Sequence, residues 1–113
     1  MSIVEKKLAE LGLSIPEAPK PVEYIYTSGQ IPLVSGELKY KGKVGAEITL
    51  EQGYEAAKVC ALNCLSVIKG LIGDLDKIEQ VVKVVGFVNS APGFNMQPKV
   101  VNGASELLGA VLG

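Results

Sequence analysis

Apolar residues recur along this chain with two different periods, and the places where the period changes divide it into elements. Val4, Leu8 and Leu11 fall at helical intervals behind Ser2 and Glu5, a capping-box spacing. A short amphipathic helix is predicted over residues 3–12, ending near Gly12. Tyr54, Ala57, Ala61, Cys64, Ile68 and Leu71 mark one face of a long second helix, with Glu51, Glu55, Lys58 and Lys69 opposite. Thr49 and Gln52 supply its capping box, and Gly73 its end. A final helix opens near Pro98 and presents Val100, Ala104, Leu107 and Val111.

Between the helices the pattern is that of strands and turns. Tyr24-Ile25-Tyr26-Thr27 is β-branched and aromatic, and Glu37-Leu38-Lys39-Tyr40 alternates, with Pro32 and Ser35-Gly36 between them, so a β-hairpin is predicted. Lys41-Gly42-Lys43-Val44-Gly45 reads as a flexible loop, and Asp74 and Asp76 as turn residues. Ile78 to Val88 is ambiguous, because the spacing of Ile78, Val81, Val82 and Val85 also suits a helix. Five valines in eight residues favour a strand. Hairpin, helix and strand would then form a crossover unit.

Pro16, Pro19 and Pro21 make the segment before the hairpin an extended connector. The organisation predicted is one domain over 1–113, with helix and Pro-rich connector in 1–21 and the core in 22–113. The last residues, Gly109-Ala110-Val111-Leu112-Gly113, carry no polar tail, so further C-terminal strands are expected beyond them. Without such strands, exposed sheet edges should make the chain unstable or prone to associate differently.

Composition narrows the chemistry chiefly by what is missing. All 11 basic residues are Lys and there is no His. That removes Ser-His and Cys-His nucleophile pairs, His-containing zinc sites and the guanidinium fork for carboxylates. Cys60 and Cys64 stand four apart on one helix and read as buried free thiols, so no metal and no cofactor is expected. Net charge is −1 with scattered lysines, which argues against nucleic acid as a partner. Charged residues interrupt every apolar run before it could span a membrane, and the N-terminus lacks a secretory pattern, so a cytoplasmic protein is expected.

Ser28-Gly29-Gln30-Ile31-Pro32, then Gly53-Tyr54-Glu55-Ala56-Ala57 running on to Ala61-Leu62-Asn63, then Gln97-Pro98-Lys99-Val100-Val101-Asn102-Gly103-Ala104-Ser105 occur in one colinear order. Gly73-Asp74-Leu75 and Val81-Val82-Lys83-Val84 fall between them. Together these resemble the RidA (YjgF/YoaB-like) reactive-intermediate deaminases, in particular the branch labelled endoribonuclease L-PSP-like, which has an extra N-terminal helix. The resemblance implies an α+β, chorismate-mutase-like fold, a mixed sheet packed by two helices, assembled as a homotrimer with small-molecule clefts between subunits. It implies hydrolysis of enamine or imine intermediates to 2-oxo acids and ammonia, through an Arg that holds the substrate carboxylate and a Glu that activates water.

Both positions would lie past Gly113, so no catalytic residue is assigned within these residues. The alternatives are a non-catalytic metabolite-binding module and, ranked last, a ribonuclease or translation inhibitor. Ser28, Gly29 and Gln30 carry over as substrate-binding residues, with a backbone N–H near Gly29 facing a carboxylate or carbonyl oxygen. The competing reading is a bend at a strand end. Phe94 and Pro98 complete the candidate set. Phe94 equally suits the core, and Pro98 replaces an Asn found in many relatives. The stretch before Glu23 is shorter than in the family. Asn63 reads as a structural amide that satisfies backbone groups, and Lys83 as a lysine on a buried strand face.

Overall fold

The computed structural model describes residues 2–18 and 23–113. The end of the Pro-rich connector, from Pro19, and the junction at Val22 lie outside the described residues.

Helix α1 spans Ile3–Glu10, where the Ser2 hydroxyl accepts from the Glu5 N–H at 3.1 Å and donates to the Glu5 carboxylate at 3.2 Å. Its other end closes with the Leu13 N–H on the Leu8 carbonyl at 2.9 Å and the Gly12 N–H on Ala9 at 3.0 Å. This pair of bonds needs a left-handed residue at the turn, and Gly12 supplies it at φ +75°. No residue of α1 is buried.

The predicted hairpin forms with a different pairing. Strands β1 (Leu33–Val34) and β2 (Glu37–Leu38) run antiparallel, with Leu33 opposite Leu38 and Val34 opposite Glu37. Ser35 and Gly36 both have positive φ, the requirement of a two-residue hairpin turn whose twist suits the strands. A turn that short sets the register, so Glu37 must face Val34 rather than Tyr24-Thr27, and the latter segment joins no ladder.

Helix α2 covers Leu50–Ile72 and has both halves of its capping box: the Gln52 N–H to the Thr49 hydroxyl at 3.1 Å, and the Thr49 N–H to the Gln52 carboxamide at 2.9 Å. Gly73 ends it at φ +81°. Ala61 and Leu65 are buried, Tyr54, Ala57, Cys64 and Ile68 are half-buried, and Leu71 is exposed, so the apolar face leaves the interior before the helix ends. Asp74 caps a 3-10 turn at Leu75–Lys77 by accepting the Asp76 N–H at 2.9 Å. Both carboxylates are thus turn residues.

Helix α3, Gln97–Leu112, carries Pro98 in its first turn and packs along α2. The two backbones approach at glycines. A Cβ on Gly103 would overlap the Tyr54 carbonyl oxygen, and one on Gly53 would lie 3.2 Å from Val44 and 3.3 Å from Val100.

Two further expectations are corrected by the backbone. The 41–45 segment is not a free loop: the Val44 N–H donates to the Asn89 carbonyl at 2.8 Å, and the Val44 carbonyl accepts from the Ala91 N–H at 2.9 Å. Val44, Ile48 and Val100 form the buried cluster, flanked by Tyr40, Leu50, Val88 and Phe94. The second correction concerns residues 78–88, which belong to no ladder and no helix. A strand is defined by paired hydrogen bonds, and among the described residues none stands beside this segment. Lys83, expected on a buried face, is therefore exposed, as is Phe87 at 96%. The radius of gyration is 20.5 Å, against about 13 Å for a compact chain of similar length.

Candidate functional site

The middle of α2 positions the first group of candidate residues. Asn63 Nδ2 donates to the Ile31 carbonyl at 2.9 Å and to the Leu33 carbonyl at 3.1 Å. One residue further, Cys64 Sγ accepts from the Thr27 hydroxyl at 3.7 Å. Ser28, Gly29 and Gln30 cross between these ties. Gln30 folds the tripeptide on itself, its Nε2 donating to the Ser28 carbonyl at 3.3 Å and to the Ser28 hydroxyl at 3.2 Å.

Gly29 is unsupported: a Cβ there would meet no heavy atom within 4 Å, and its φ is not in the left-handed region. Neither close approach nor a special dihedral accounts for glycine at this position. Among the described residues, the N–H groups of Ser28, Gly29 and Gln30 have no acceptor within the chain. Adjacent backbone N–H groups left unspent at the surface are suited to an anionic or carbonyl oxygen.

Phe94 and Pro98 stand elsewhere. Phe94 is half-buried against Val44, Ile48 and Val100, with its N–H on the Ala91 carbonyl at 3.1 Å. Pro98 is exposed at the start of α3. The Gly53 level of α2, which meets Val44 and Val100, is ten residues from Asn63, or about 15 Å along the axis. One chain thus presents two separate candidate surfaces. A third, apolar cleft lies between the 79–84 segment and the end of α3, lined by Glu79, Val81, Val84, Leu108 and Leu112, and none of the candidate residues borders it.

Gln97 holds the second surface and was not singled out by sequence reasoning. Its Nε2 donates to the Phe94 carbonyl at 2.9 Å and to the Ser90 hydroxyl at 3.2 Å, which fixes the 90–94 turn against the helix start. A polar residue just before a helix-opening Pro is the only sequence signal for that role.

Glu47, Cys60 and Tyr54 depart from their ordinary values, each for a local structural reason. The Glu47 carboxylate lies below its usual range, held by its own N–H and that of Lys43. Burial, and then the neighbouring Cys64, push the Cys60 thiol up, and both cysteines are free. Among the described residues no cluster of three His, Cys, Asp or Glu side chains could hold a metal. No helix among them is long and apolar enough to cross a membrane.

The Tyr54 hydroxyl donates to the Glu106 carboxylate across α2 and α3. That bond, then burial and the carboxylate charge, raise the phenol above its ordinary 10.0. A raised folded-state value favours the protonated phenol, so its contribution is whole below pH 10 and lost as pH climbs through the folded value. Tyr54→Phe should remove this alkaline loss, so the difference in thermal midpoint between wild type and variant is expected to shrink from about pH 8 to about pH 11.

Helices packed on a small antiparallel hairpin make this an α+β protein. The chain belongs to the family described as "YjgF/chorismate mutase-like, putative endoribonuclease", whose model matches residues 7–113. Protein TCP17 of Trypanosoma cruzi is 38% identical over 120 residues, covering 97% of this chain and 75% of its own. Atu1372 of Agrobacterium tumefaciens superposes with a TM-score of 0.77 at 42% identity, over 98% of this chain and 73% of that one. The "putative endoribonuclease" of Shewanella oneidensis superposes at 0.75 and 32% identity, over 96% and 79%.

Proposed function

We propose that this protein is a reactive-intermediate deaminase of the RidA type, in which the Ser28–Gln30 backbone forms one wall of a small-molecule cleft. The observation that carries the reading is the set of N–H groups without an acceptor among the described residues, on an irregular segment open at Gly29. Such donors suit the carboxylate or carbonyl oxygen of a 2-imino or 2-oxo acid, and a charge-assisted bond adds about 1.5–3 kcal/mol. In the reaction, water adds to the imine carbon, the C–N bond breaks, and ammonia leaves a 2-oxo acid. The carboxylate-holding Arg and the water-activating acid of the family are not supplied by these residues, which contain no Arg. The Phe94 and Pro98 surface, about 15 Å away along α2, would complete the cleft from a neighbouring subunit of a homotrimer.

A second reading is a module that binds metabolites in the same clefts without turnover; a full-length protein lacking both catalytic charges would favour it. Titration of 2-oxobutanoate into the isotope-labelled chain should move the amide signals of Ser28, Gly29 and Gln30. Gly29→Pro removes one donor and should weaken binding about tenfold. Ammonia release from a 2-imino acid generated in situ by an amino-acid oxidase separates the readings. Acceleration supports the deaminase, binding without acceleration supports the module, and neither response overturns both.

A further inference from the structure

We infer that Asn63 is the positioning residue of this cleft, acting with the Thr27–Cys64 contact as a two-point clamp that holds the irregular Ser28–Gln30 segment open to a ligand. The inference rests on the proposed binding role of that segment, but the clamp itself is testable without a ligand. An Asn in the interior of a helix is a poor helix former, because its carboxamide competes for backbone groups. Here both amide hydrogens leave the helix for carbonyls 30 and 32 residues earlier in the chain. Thr27 is tied on the upstream side of the Ser28–Gln30 segment, and Ile31 and Leu33 on the downstream side.

Among the described residues, the other side-chain bonds of this segment are those of Gln30 to Ser28, which are internal to it. The segment therefore takes its place relative to the rest of the molecule from adjacent residues of one helical turn. That turn belongs to a 23-residue helix fixed by a complete capping box, so the clamp has a rigid base. Asn63 would touch no ligand and move no proton. Its part is to keep the N–H groups of residues 28–30 from collapsing onto the helix, where they would find acceptors and be lost to binding.

Asn63→Asp keeps the shape but cannot donate, and sets a carboxylate against two carbonyl oxygens. Asn63→Ala removes both bonds, Thr27→Val removes the weaker tie alone, and Ser66→Ala, at an exposed position of α2, is the control. Backbone relaxation should report order parameters near about 0.85 for residues 28–30 in the wild type and below about 0.6 in Asn63→Ala. The amide signals of Gly53 and Gly103 should stay in place. Binding of 2-oxobutanoate should weaken at least tenfold in both Asn63 variants and two- to threefold in Thr27→Val, with the control unchanged. If the Asn63 variants fail to fold, loss of order at 28–30 in Thr27→Val decides the matter in their place. Wild-type order at residues 28–30 in a folded Asn63→Ala overturns the clamp. A wild-type chain that ignores 2-oxobutanoate overturns the proposed function instead, while the relaxation data still judge the clamp.

Discussion

Gly103→Ala is expected to shift the urea midpoint of unfolding downward by the equivalent of about 3 kcal/mol, the upper end of common overpacking penalties. The usual sign is the reverse, since Gly to Ala inside a helix gains about 0.5–1 kcal/mol. What reverses it is the obstacle. The new methyl would meet the Tyr54 carbonyl oxygen and lie 2.9 Å from its carbon and 3.2 Å from the Lys58 nitrogen, all backbone atoms of α2. A side chain can rotate away, but a helix carbonyl engaged in its own ladder cannot. The helices must separate instead, and separation loosens Val100, which is 4% exposed, from Val44 and Ile48. Gly109 provides the comparison, being exposed on α3 with nothing within 4 Å of its missing Cβ. Gly109→Ala should follow the usual rule and gain about 0.5–1 kcal/mol. A gain at both positions would mean that α2 and α3 do not meet at Gly103.

The second large effect concerns association. Val82 and Phe87 are 69% and 96% exposed in an extended segment without ladder partners. A β-prone apolar stretch with free N–H and C=O groups is a template for pairing with another chain. Light scattering of the 113-residue chain should therefore give a mass above 11.9 kDa that rises with concentration. The double variant Val82→Lys, Phe87→Lys should return it toward the mass of one chain. A wild-type mass that levels off at three chains would be the homotrimer proposed above, with the segment closed off inside it, and would overturn open-ended pairing. An unchanged mass in the double variant would show that the segment takes no part.

The helices were legible in the sequence because their signals are local. Ser2 with Glu5 and Thr49 with Gln52 cap within four residues, and Gly12 and Gly73 end α1 and α2 with positive φ. Asn63 was also readable as a structural amide, although its acceptors, Ile31 and Leu33, were not. The failures are non-local. Val44 looked like a loop residue because glycines flank it, and only its bonds to Asn89 and Ala91, 45 and 47 residues away, make it a core residue. Residues 78–88 have strand composition, but composition supplies no partner, and pairing is what makes a strand. For the candidate site, motif resemblance picked out the Ser28–Gln30 segment, against a reading of it as a strand-end bend. Its unspent N–H groups and its separation from Phe94 are three-dimensional facts that no spacing along the chain encodes.

The Val44 bonds to Asn89 and Ala91 have a further consequence for how the molecule tolerates being cut. They bind the chain on the far side of the exposed 78–88 stretch directly to the chain before α2, while α3 grips α2 independently. The stretch is therefore a covalent bridge between parts already fastened to each other by other means. A cut beside Lys83, an exposed residue within it, would leave the Val44 bonds and the α2–α3 contact to bring two separately produced pieces back together.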